Sequence, residues 1–509
     1  MKITIMDTTL RDGEQTSGVS FTGTEKLTMA KLLLEDLRVD RIEIASARVS
    51  EGEYKGAKMI FAWAKEHGFI EKVEVLGFVD GDISLKWIEN AGGKVINLLT
   101  KGSLKHCQYQ LRKSPEQHIE DIKGVLKTAK EMGIRVNIYF EDWSNGMRNS
   151  PEYMYQMLDN LQNENIDRFM LPDTLGILNH DETYKFCLDI KTRYPKLEFD
   201  FHAHNDYDLA TANVFSAISA GITGIHTTIN GLGERAGNVP ISSVIGIVKD
   251  HFKYEMSVQE DKLYLVSKFI ESFSGIRIPA NKPLIGENVF TQTSGIHADG
   301  DQKDNLYFND LLPERFGRKR QYALGKMSGK ASVIKNLEEL GIELSKEEMK
   351  MVTDRIIELG DKKETVSKED LPYIISDVLK SEKVNQNIKI KNYSLSVAKG
   401  LRSMATLSIE INCLSYEETA SGDGQYDAFM KALWKIYDKL EKKHPVLTDY
   451  VVTIPPGGKT DALVECSITW DYSGKIIKTR GLDSDQTVAA IKGTLKMLNI
   501  IDEMDNSKV

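Results

Sequence analysis

The feature that most constrains this chain is a rhythm. From residue 2 to about residue 235, short runs rich in β-branched residues alternate with amphipathic stretches long enough for several helical turns. The strand candidates are ITIMDT, RIEIAS, VEVLGFV, KVINLLT, RVNIYFED, RFMLPDT, EFDFHAHND and GIHTTIN, eight in all. Helix signals fall between them. Thr22 and Glu25 form a capping box ahead of one amphipathic run, while Pro115 opens another and Gly133 follows it. Eight strand–helix units in series predict an α/β fold, a (β/α)8 TIM barrel. A doubly wound open sheet is the competing arrangement, but it seldom needs eight regular units, and no GxGxxG follows the first strand.

The rhythm then stops. Residues 241 to about 385 read as helices joined by irregular polar stretches, among them IPANKPLIGENVFTQTSGIHADGDQKDNLY (278–307) and ERFGRKRQYALGKMSGKAS (314–332). Strands return from about residue 388, and two segments of the tail resemble each other: SYEETASGDGQYDAFMKALWKI (415–436) and KIIKTRGLDSDQTVAAIKGTLKML (475–498). Each reads as a strand, an acidic glycine-containing turn and an amphipathic helix. The expectation is an internal repeat of a strand-strand-strand-helix unit in an α+β domain serving regulation or dimerisation. The expected divisions are a catalytic barrel over 1–255, helical linker or lid subdomains over 256–385, and the C-terminal domain over 386–509.

Composition narrows the function classes. A chain of 509 residues is too long for one ordinary domain. Its 66 basic and 75 acidic residues leave a formal charge of -9 with no basic tail or stripe, which argues against nucleic acid as a partner. No apolar run approaches the length of a membrane span, and MKITIMDTTL turns polar too early for a signal peptide, so a cytoplasmic protein without a membrane partner is expected. Cys107, Cys187, Cys413 and Cys466 are far apart and form no CxxC pair. They are expected to be buried thiols rather than a disulfide framework or a thiolate metal site.

The chemistry concentrates at strand ends. The nine residues DTTLRDGEQ (7–15) set a guanidinium beside carboxylates where the first strand finishes, and an ion pair that only holds the fold together is one reading of Arg11 and Asp12. In FDFHAHND, His202 and His204 stand two apart on a strand, so both imidazoles face the same way, into the barrel mouth. One inward histidine is usually a satisfied core residue. Two at this spacing, with Asp12 on a strand that neighbours the last one once the barrel closes, suit a divalent cation such as Zn, Mn or Fe. The same triad serves iron oxygenases, and spacing alone does not separate the two. Glu141, Thr174, Asn230 and the loop GLGERAGN (231–238) fall at the same end, where sites of this fold are built. Arg11 and Asp12, adjacent at a strand end, are expected to point in different directions.

DTTLRDGEQ, HAHND and NGLGERAGN together resemble the DRE-type TIM-barrel metallolyases, in the acyl-CoA-condensing branch of isopropylmalate, citramalate and homocitrate synthases. The resemblance covers nearly the whole chain. It implies an acyltransferase in branched-chain amino-acid biosynthesis that condenses acetyl-CoA with a 2-oxo acid on a divalent metal (Zn, Mn or Mg). By it, Asp12, His202 and His204 hold the metal with Asn238 completing or supporting the sphere, and Arg11 stabilises the oxygen that becomes negative. Glu141 stands beside acetyl-CoA, with Asn230, Gly231, Gly233, Glu234 and Arg235 in the acyl-CoA site and Thr174 on the 2-oxo acid. The base is Glu141, or a water or histidine arrangement involving His297 and Tyr307, which lie in a linker that in the family reaches a neighbouring subunit. A homodimer with shared active sites follows.

Leu76, Leu99 and Tyr139 read blandly as barrel core. Beside the family they look like the residues with which the citramalate branch closes its pocket around the methyl of pyruvate, whereas the isopropylmalate branch admits an isopropyl group. SGDGQYDAFM resembles the family's effector-binding segment, which makes Tyr426 and Asp427 candidates for contacting a branched-chain amino acid, isoleucine in the citramalate branch. The related lyases carry a cysteine in the glycine-rich loop, which GLGERAGN lacks. An alternative of another class is a catalytically silent amino-acid sensor whose barrel only supports the repeat tail.

Overall fold

In the computed structural model, residues 1–361, 366, 368–379, 387–453 and 464–506 are described. The division expected between residues 385 and 386 lies outside them. The described chain forms two compact units, Met1–Thr291 with Asp304–Gln321, and Gln292–Lys303 with Tyr322–Val509.

The first unit is built on a closed eight-stranded parallel barrel in sequential order. Its strands are β1 (Thr4–Asp7), β2 (Arg41–Ser46), β3 (Val73–Phe78), β4 (Val95–Lys101), β5 (Arg135–Glu141), β6 (Arg168–Asp173), β7 (Phe199–Ala203) and β8 (Gly224–Thr227). Closure comes from β1 against β8, with Thr4 opposite Gly224 and Asp7 opposite Thr227. All eight strands fall on the segments that the rhythm predicts. Strands buried on both faces need apolar residues throughout, and Ile42, Ile44, Val73, Val75, Ile96, Leu98, Ile138 and Phe201 are fully buried between barrel and helices.

The helix signals act as read. Thr22 and Glu25 exchange both capping bonds, and so do Ser114 and Gln117 ahead of the helix Pro115–Met132. Gly133 closes that helix in the left-handed conformation, where a Cβ carries a steric cost. One detail differs at β7. Its ladder stops at Ala203, because His204 forms an isolated antiparallel bridge with Asn238 in the loop after β8.

The barrel centre is polar. At its lower level, nearer the strand starts, Asp200 accepts bonds from Arg41 (2.5 Å), Arg168 (3.0 Å) and His226 (3.2 Å), and Arg41 also reaches Glu74 (3.0 Å). One level up, Asn137 donates to Asn97 and Asn97 to Glu43, each at 2.8 Å. Four apolar residues, Met6, Leu76, Tyr139 and Met170, form a cluster of their own with Leu99 packed against it, apart from the main core.

In the second unit the helices Lys330–Leu340, Lys346–Asp361 and Leu371–Leu379 share one small core. The tail then repeats itself. Antiparallel strands Ile388–Ser396, Ser403–Ile411 and Leu414–Gly422 precede the helix Gln425–Lys439, and strands Val446–Thr453, Val464–Tyr472 and Lys475–Asp483 precede the helix Gln486–Asn506. Both helices bury their apolar faces in one common core, as the internal repeat requires. Cys107, Cys187 and Cys466 are buried, but Cys413 is exposed, against expectation. It sits with Asn412 in a two-residue hairpin turn where both φ angles are positive, 51° and 65°, the geometry of a loop tip rather than of a core.

Candidate metal and acyl-transfer site

The segment after β1 does not continue as a strand. Backbone N–H groups of Arg11, Asp12 and Gly13 all return to the carbonyl of Thr8, and Asp12 has helical angles (φ -72°, ψ -38°). This tight turn aims successive side chains at separate targets. Asp7 accepts the N–H of Thr9, and Glu14 accepts the N–H of Phe21 and pairs with buried Lys26, which also reaches Glu53. Arg11 and Asp12 both turn into the mouth.

There Asp12 Oδ2 lies 3.4 Å from His202 Nε2 and 3.8 Å from His204 Nε2. Among the described residues these three form the one group of histidine and carboxylate ligands with donor atoms close enough for a common ion, and all three are buried. Two donors each about 2.1 Å from one cation stand about 3.0–3.4 Å apart, a spacing that the His202 contact meets and the His204 contact exceeds by a few tenths of an ångström. A second observation supports the fit. Asp12 Oδ1, both ring nitrogens of His202, Nδ1 of His204 and Oδ1 of Asn238 are buried without a hydrogen-bond partner, a deficit that buried polar groups rarely carry unless something binds them.

Electrostatics keep these donors in ligand form. Burial raises the Asp12 carboxyl, but the Arg11 guanidinium and then the two imidazoles outweigh it and hold the group well below the usual carboxylate range. Burial pushes His202 down, and pushes His204 down to about 4, so both imidazoles are neutral at pH 7.

Arg11 donates from Nε to Glu43 (2.7 Å), lies 3.1 Å from Asp12 through Nη1, and leaves Nη2 buried without a partner. The expectation that Arg11 and Asp12 diverge is therefore corrected. It assumed extended backbone, and the turn puts both side chains on one side. Glu43, on β2, is the anchor that sequence reasoning missed: it accepts from Arg11, Thr8 and Asn97 and is fully buried.

The apolar cluster stands directly beside this group. The Tyr139 ring centre is 5.8 Å from that of His202 and 6.0 Å from the Arg11 guanidinium carbon. Burial pushes the phenol well above its ordinary range, so it stays protonated. Leu76, Leu99 and Tyr139 thus come together as expected, joined by Met6 and Met170.

Around the rim, Glu141 ends β5 and pairs with Lys101 at the end of β4. Thr174 accepts the N–H of Asp142, and its carbonyl accepts from Arg235. Arg235 also forks onto Asp206, and Glu234 is exposed beside it. The GLGERAGN loop is closely folded. Thr16 donates to the carbonyl of Gly233 and accepts its N–H, while a Cβ at Gly233 would strike the Asn238 side chain and one at Gly237 the Gly231 carbonyl. Asn238 donates to the carbonyl of Leu232. Asn230 points elsewhere, donating to Ser267 on the helix Leu263–Ser274.

The family assignment follows from the first 270 residues. The HMGL-like family model matches residues 2–270, more than half of the 509-residue chain. The chain belongs to the HMGL-like family. The rest of this HMGL-like chain matches two further models, a homocitrate synthase post-HMGL domain-like region over residues 284–364 and a LeuA allosteric (dimerisation) domain over residues 365–501. Its relatives include the (R)-citramalate synthase CimA of Methanocaldococcus jannaschii, 32% identical over 505 residues, 98% of this chain and 100% of that protein. The 2-isopropylmalate synthase of the same organism is also 32% identical, over 511 residues, 98% of this chain and 95% of that protein.

The remaining candidates lie outside the barrel. His297 is exposed on the helix Gly295–Gln302 of the second unit, and Tyr307 is 42% exposed in an irregular segment of the first. In the tail, the Tyr426 hydroxyl bonds Thr494 (2.7 Å) and its ring centre is 5.4 Å from that of Tyr450, while Asp427 accepts from the N–H of Asp423 and from Lys431. Among the described residues no helix is long and apolar enough to cross a membrane.

Proposed function

We propose that this protein condenses the acetyl group of acetyl-CoA with pyruvate, with hydrolysis of the thioester, to give (R)-citramalate and CoA. The acyl-transfer part of the reading is supported by family membership and by the names of the relatives. The pyruvate part rests on one observation, the apolar cluster of Leu76, Leu99 and Tyr139, with the Tyr139 ring beside Arg11 and His202, which suits a methyl group as neighbour. The relatives are equally identical to this chain whether named for citramalate or for isopropylmalate, so 2-isopropylmalate synthesis from 2-oxoisovalerate is the second reading.

A divalent cation held by Asp12, His202 and His204, with Asn238 beside it, supplies Lewis-acid polarisation of the keto group when bound. The residues do the rest. Arg11 directs its free Nη2 at the keto oxygen as it gains charge, fixed there by Glu43, a role worth about 3 kcal/mol for one well-placed donor. A proton leaves the acetyl methyl, whose carbon bonds the keto carbon. The keto oxygen takes up a proton to become a hydroxyl, and water cleaves the thioester to a carboxylate and a thiol. Glu141, held by Lys101 at the rim, is the carboxylate beside the acyl-CoA in this reading, with Gly231, Gly233, Glu234 and Arg235 in the same acyl-CoA site and Thr174, whose carbonyl accepts from Arg235, on the 2-oxo acid. The base is Glu141, or His297 with Tyr307 supplied by a partner subunit of a homodimer. The dimer is supported by the match to a dimerisation-domain model.

The deciding experiment measures release of free CoA thiol with pyruvate and with 2-oxoisovalerate. Pyruvate should win by at least about a hundredfold in kcat/KM, and the reverse ranking would replace this reading with the second one. Regulation is proposed through the tail, with Tyr426 and Asp427 contacting isoleucine. Isoleucine should lower activity in the wild type and not in a Tyr426→Ala protein, and indifference of the wild type to both isoleucine and leucine would remove the proposal.

A further inference from the structure

We infer that Lys101 is a positioning residue for the reaction, acting through Glu141, whose carboxylate it aims at the acetyl group of acetyl-CoA. The inference rests on the placing of Glu141 beside the acyl-CoA in the reading above and deepens it. β4 and β5 pair along their whole length, and alternate pairs of the ladder face the barrel axis. The first of these joins Asn137 to Asn97 by a hydrogen bond, and the next sets Leu99 opposite Tyr139. The last is Lys101 opposite Glu141. It stands at the C-terminal end of the strands, where sites of this fold are built.

An ion pair is not needed there to hold the strands together. The ladder already does so, and the Gly102 N–H carries it one step further by donating to the Glu141 carbonyl (2.6 Å). The lysine side chain is 8% exposed and the glutamate side chain 24%. For cohesion alone an apolar pair like the one below would serve as well, because desolvation offsets the attraction of a covered ion pair. What the surroundings do is fix both backbones. The Lys101 N–H donates to Nε2 of His118 (3.2 Å), an imidazole that burial pushes down to about 4 and so keeps neutral, and the Lys101 carbonyl accepts from the Tyr153 hydroxyl (2.9 Å). On β5, the residue after Glu141 is held in the left-handed region, Asp142 at φ 64°. Its N–H donates to Thr174 (2.8 Å), and its carboxylate accepts from Ser103 (2.7 Å) and Asn145 (2.8 Å). A residue with a Cβ persists there only where its surroundings over-determine it, and such positions cluster at active sites. Between the two fixed backbones Lys101 Nζ donates to Glu141 Oε2, while Oε1 accepts no hydrogen bond from any described residue. Holding one carboxylate oxygen sets the direction of the other.

The test follows thiol release from acetyl-CoA with pyruvate, or with 2-oxoisovalerate if that acid turns over faster. It compares the wild type, Lys101→Met, Lys101→Arg, Glu141→Gln and the double variant of Lys101→Met with Glu141→Gln. Lys101→Met should lose about a hundredfold in kcat, the scale of a reacting group misplaced by about 1 Å. KM for the 2-oxo acid and bound metal should stay within about twofold of the wild type, since neither depends on Glu141. Lys101→Arg, which keeps a cation opposite the carboxylate, should recover most of the lost kcat. The double variant should be no slower than Glu141→Gln alone, because a residue acting through Glu141 then has nothing left to aim. If Lys101→Met does not fold, Lys101→Gln carries the same comparison. Losses that multiply in the double variant, or a Lys101 variant at wild-type kcat beside a slow Glu141→Gln, overturn the inference and leave the placing of Glu141 standing. Wild-type turnover in Glu141→Gln overturns that placing, and a wild type that releases no thiol with either acid overturns the condensation reading; this inference falls with each.

Discussion

The barrel holds two ionic groups built from the same residue types, one above the other, and they are finished differently. In the lower one, Asp200 has both oxygens engaged, by Arg41 and His226 on one and by Arg168 on the other. In the upper one, two residues further along the same strand, His202 has neither ring nitrogen in a hydrogen bond, Asp12 leaves one oxygen free and Arg11 one nitrogen. The lower group is not fully closed either, since Arg41 Nε, Glu74 Oε2 and His226 Nδ1 are buried without partners. Each of its carboxylates nonetheless faces a guanidinium, whereas the upper group leaves imidazole nitrogens and a carboxylate oxygen open together, as a ligand site requires. Identity of residue therefore says less about role than which atoms are left open and whether they converge.

That contrast is broken or sharpened most strongly at Asp12. Asp12→Asn should cut turnover by about a thousandfold or more, the scale of several kcal/mol of lost transition-state stabilisation. Bound metal measured by elemental analysis should fall with it, while the melting temperature moves little. Asp200→Asn should do the opposite and lower stability by about 3 kcal/mol in denaturant titration, because it strips a charge partner from buried Arg41. If turnover per folded molecule collapsed equally in that variant, the lower level would belong to the chemistry.

Acid should separate the two levels in the metal-free protein. His204, pushed down by burial to about 4, and His202, pushed the same way, have folded pKa values below the ordinary 6.5. The unfolded chain then takes up protons first. Their contribution is intact above about pH 6.5 and is lost as pH falls toward about 4, on the order of 1–3 kcal/mol. Burial raises the Asp200 carboxyl, but Arg41, His226 and Arg168 outweigh it and hold it below the carboxylate range. Its contribution fails only below about pH 3.9. Thermal unfolding against pH should show both phases, the upper one absent from a His202→Gln, His204→Gln protein. The smallest effect is expected at Thr16→Val, which removes two hydrogen bonds to Gly233 and should cost about 1–2 kcal/mol in chemical denaturation.

Much of this was legible in the sequence where periodicity is strong. The eight strands, the cap at Thr22, the helix limits at Pro115 and Gly133 and the repeated tail follow from local pattern, and the HxH spacing put His202 and His204 on one face. The turn after Asp7 was not legible, because nothing in DTTLRDGEQ marks where the strand ends, and the extended reading wrongly separated Arg11 from Asp12. Glu43 was missed, although a signal existed. RIEIAS, VEVLGF, VINLLT, RVNIYF and FDFHA each carry a buried acid or amide amid buried apolar residues, namely Glu43, Glu74, Asn97, Asn137 and Asp200. In strands covered on both faces such a residue has nowhere to go but the barrel axis. Asp206, which ties Arg235, carries no comparable mark, since its partner comes from a loop 29 residues away.

The turn after β1 has one more consequence. Within ten residues, Asp7, Arg11, Asp12, Glu14 and Thr16 are fastened respectively to Thr9, Glu43, the histidine pair, Lys26 and Gly233. A point substitution there releases one fastening. Deleting or adding a single residue would rotate every later side chain by about 100° on a helical path and release several at once. Libraries of single-residue insertions and deletions should find this segment far less permissive than its substitution profile suggests, with length rather than composition the property it tolerates least.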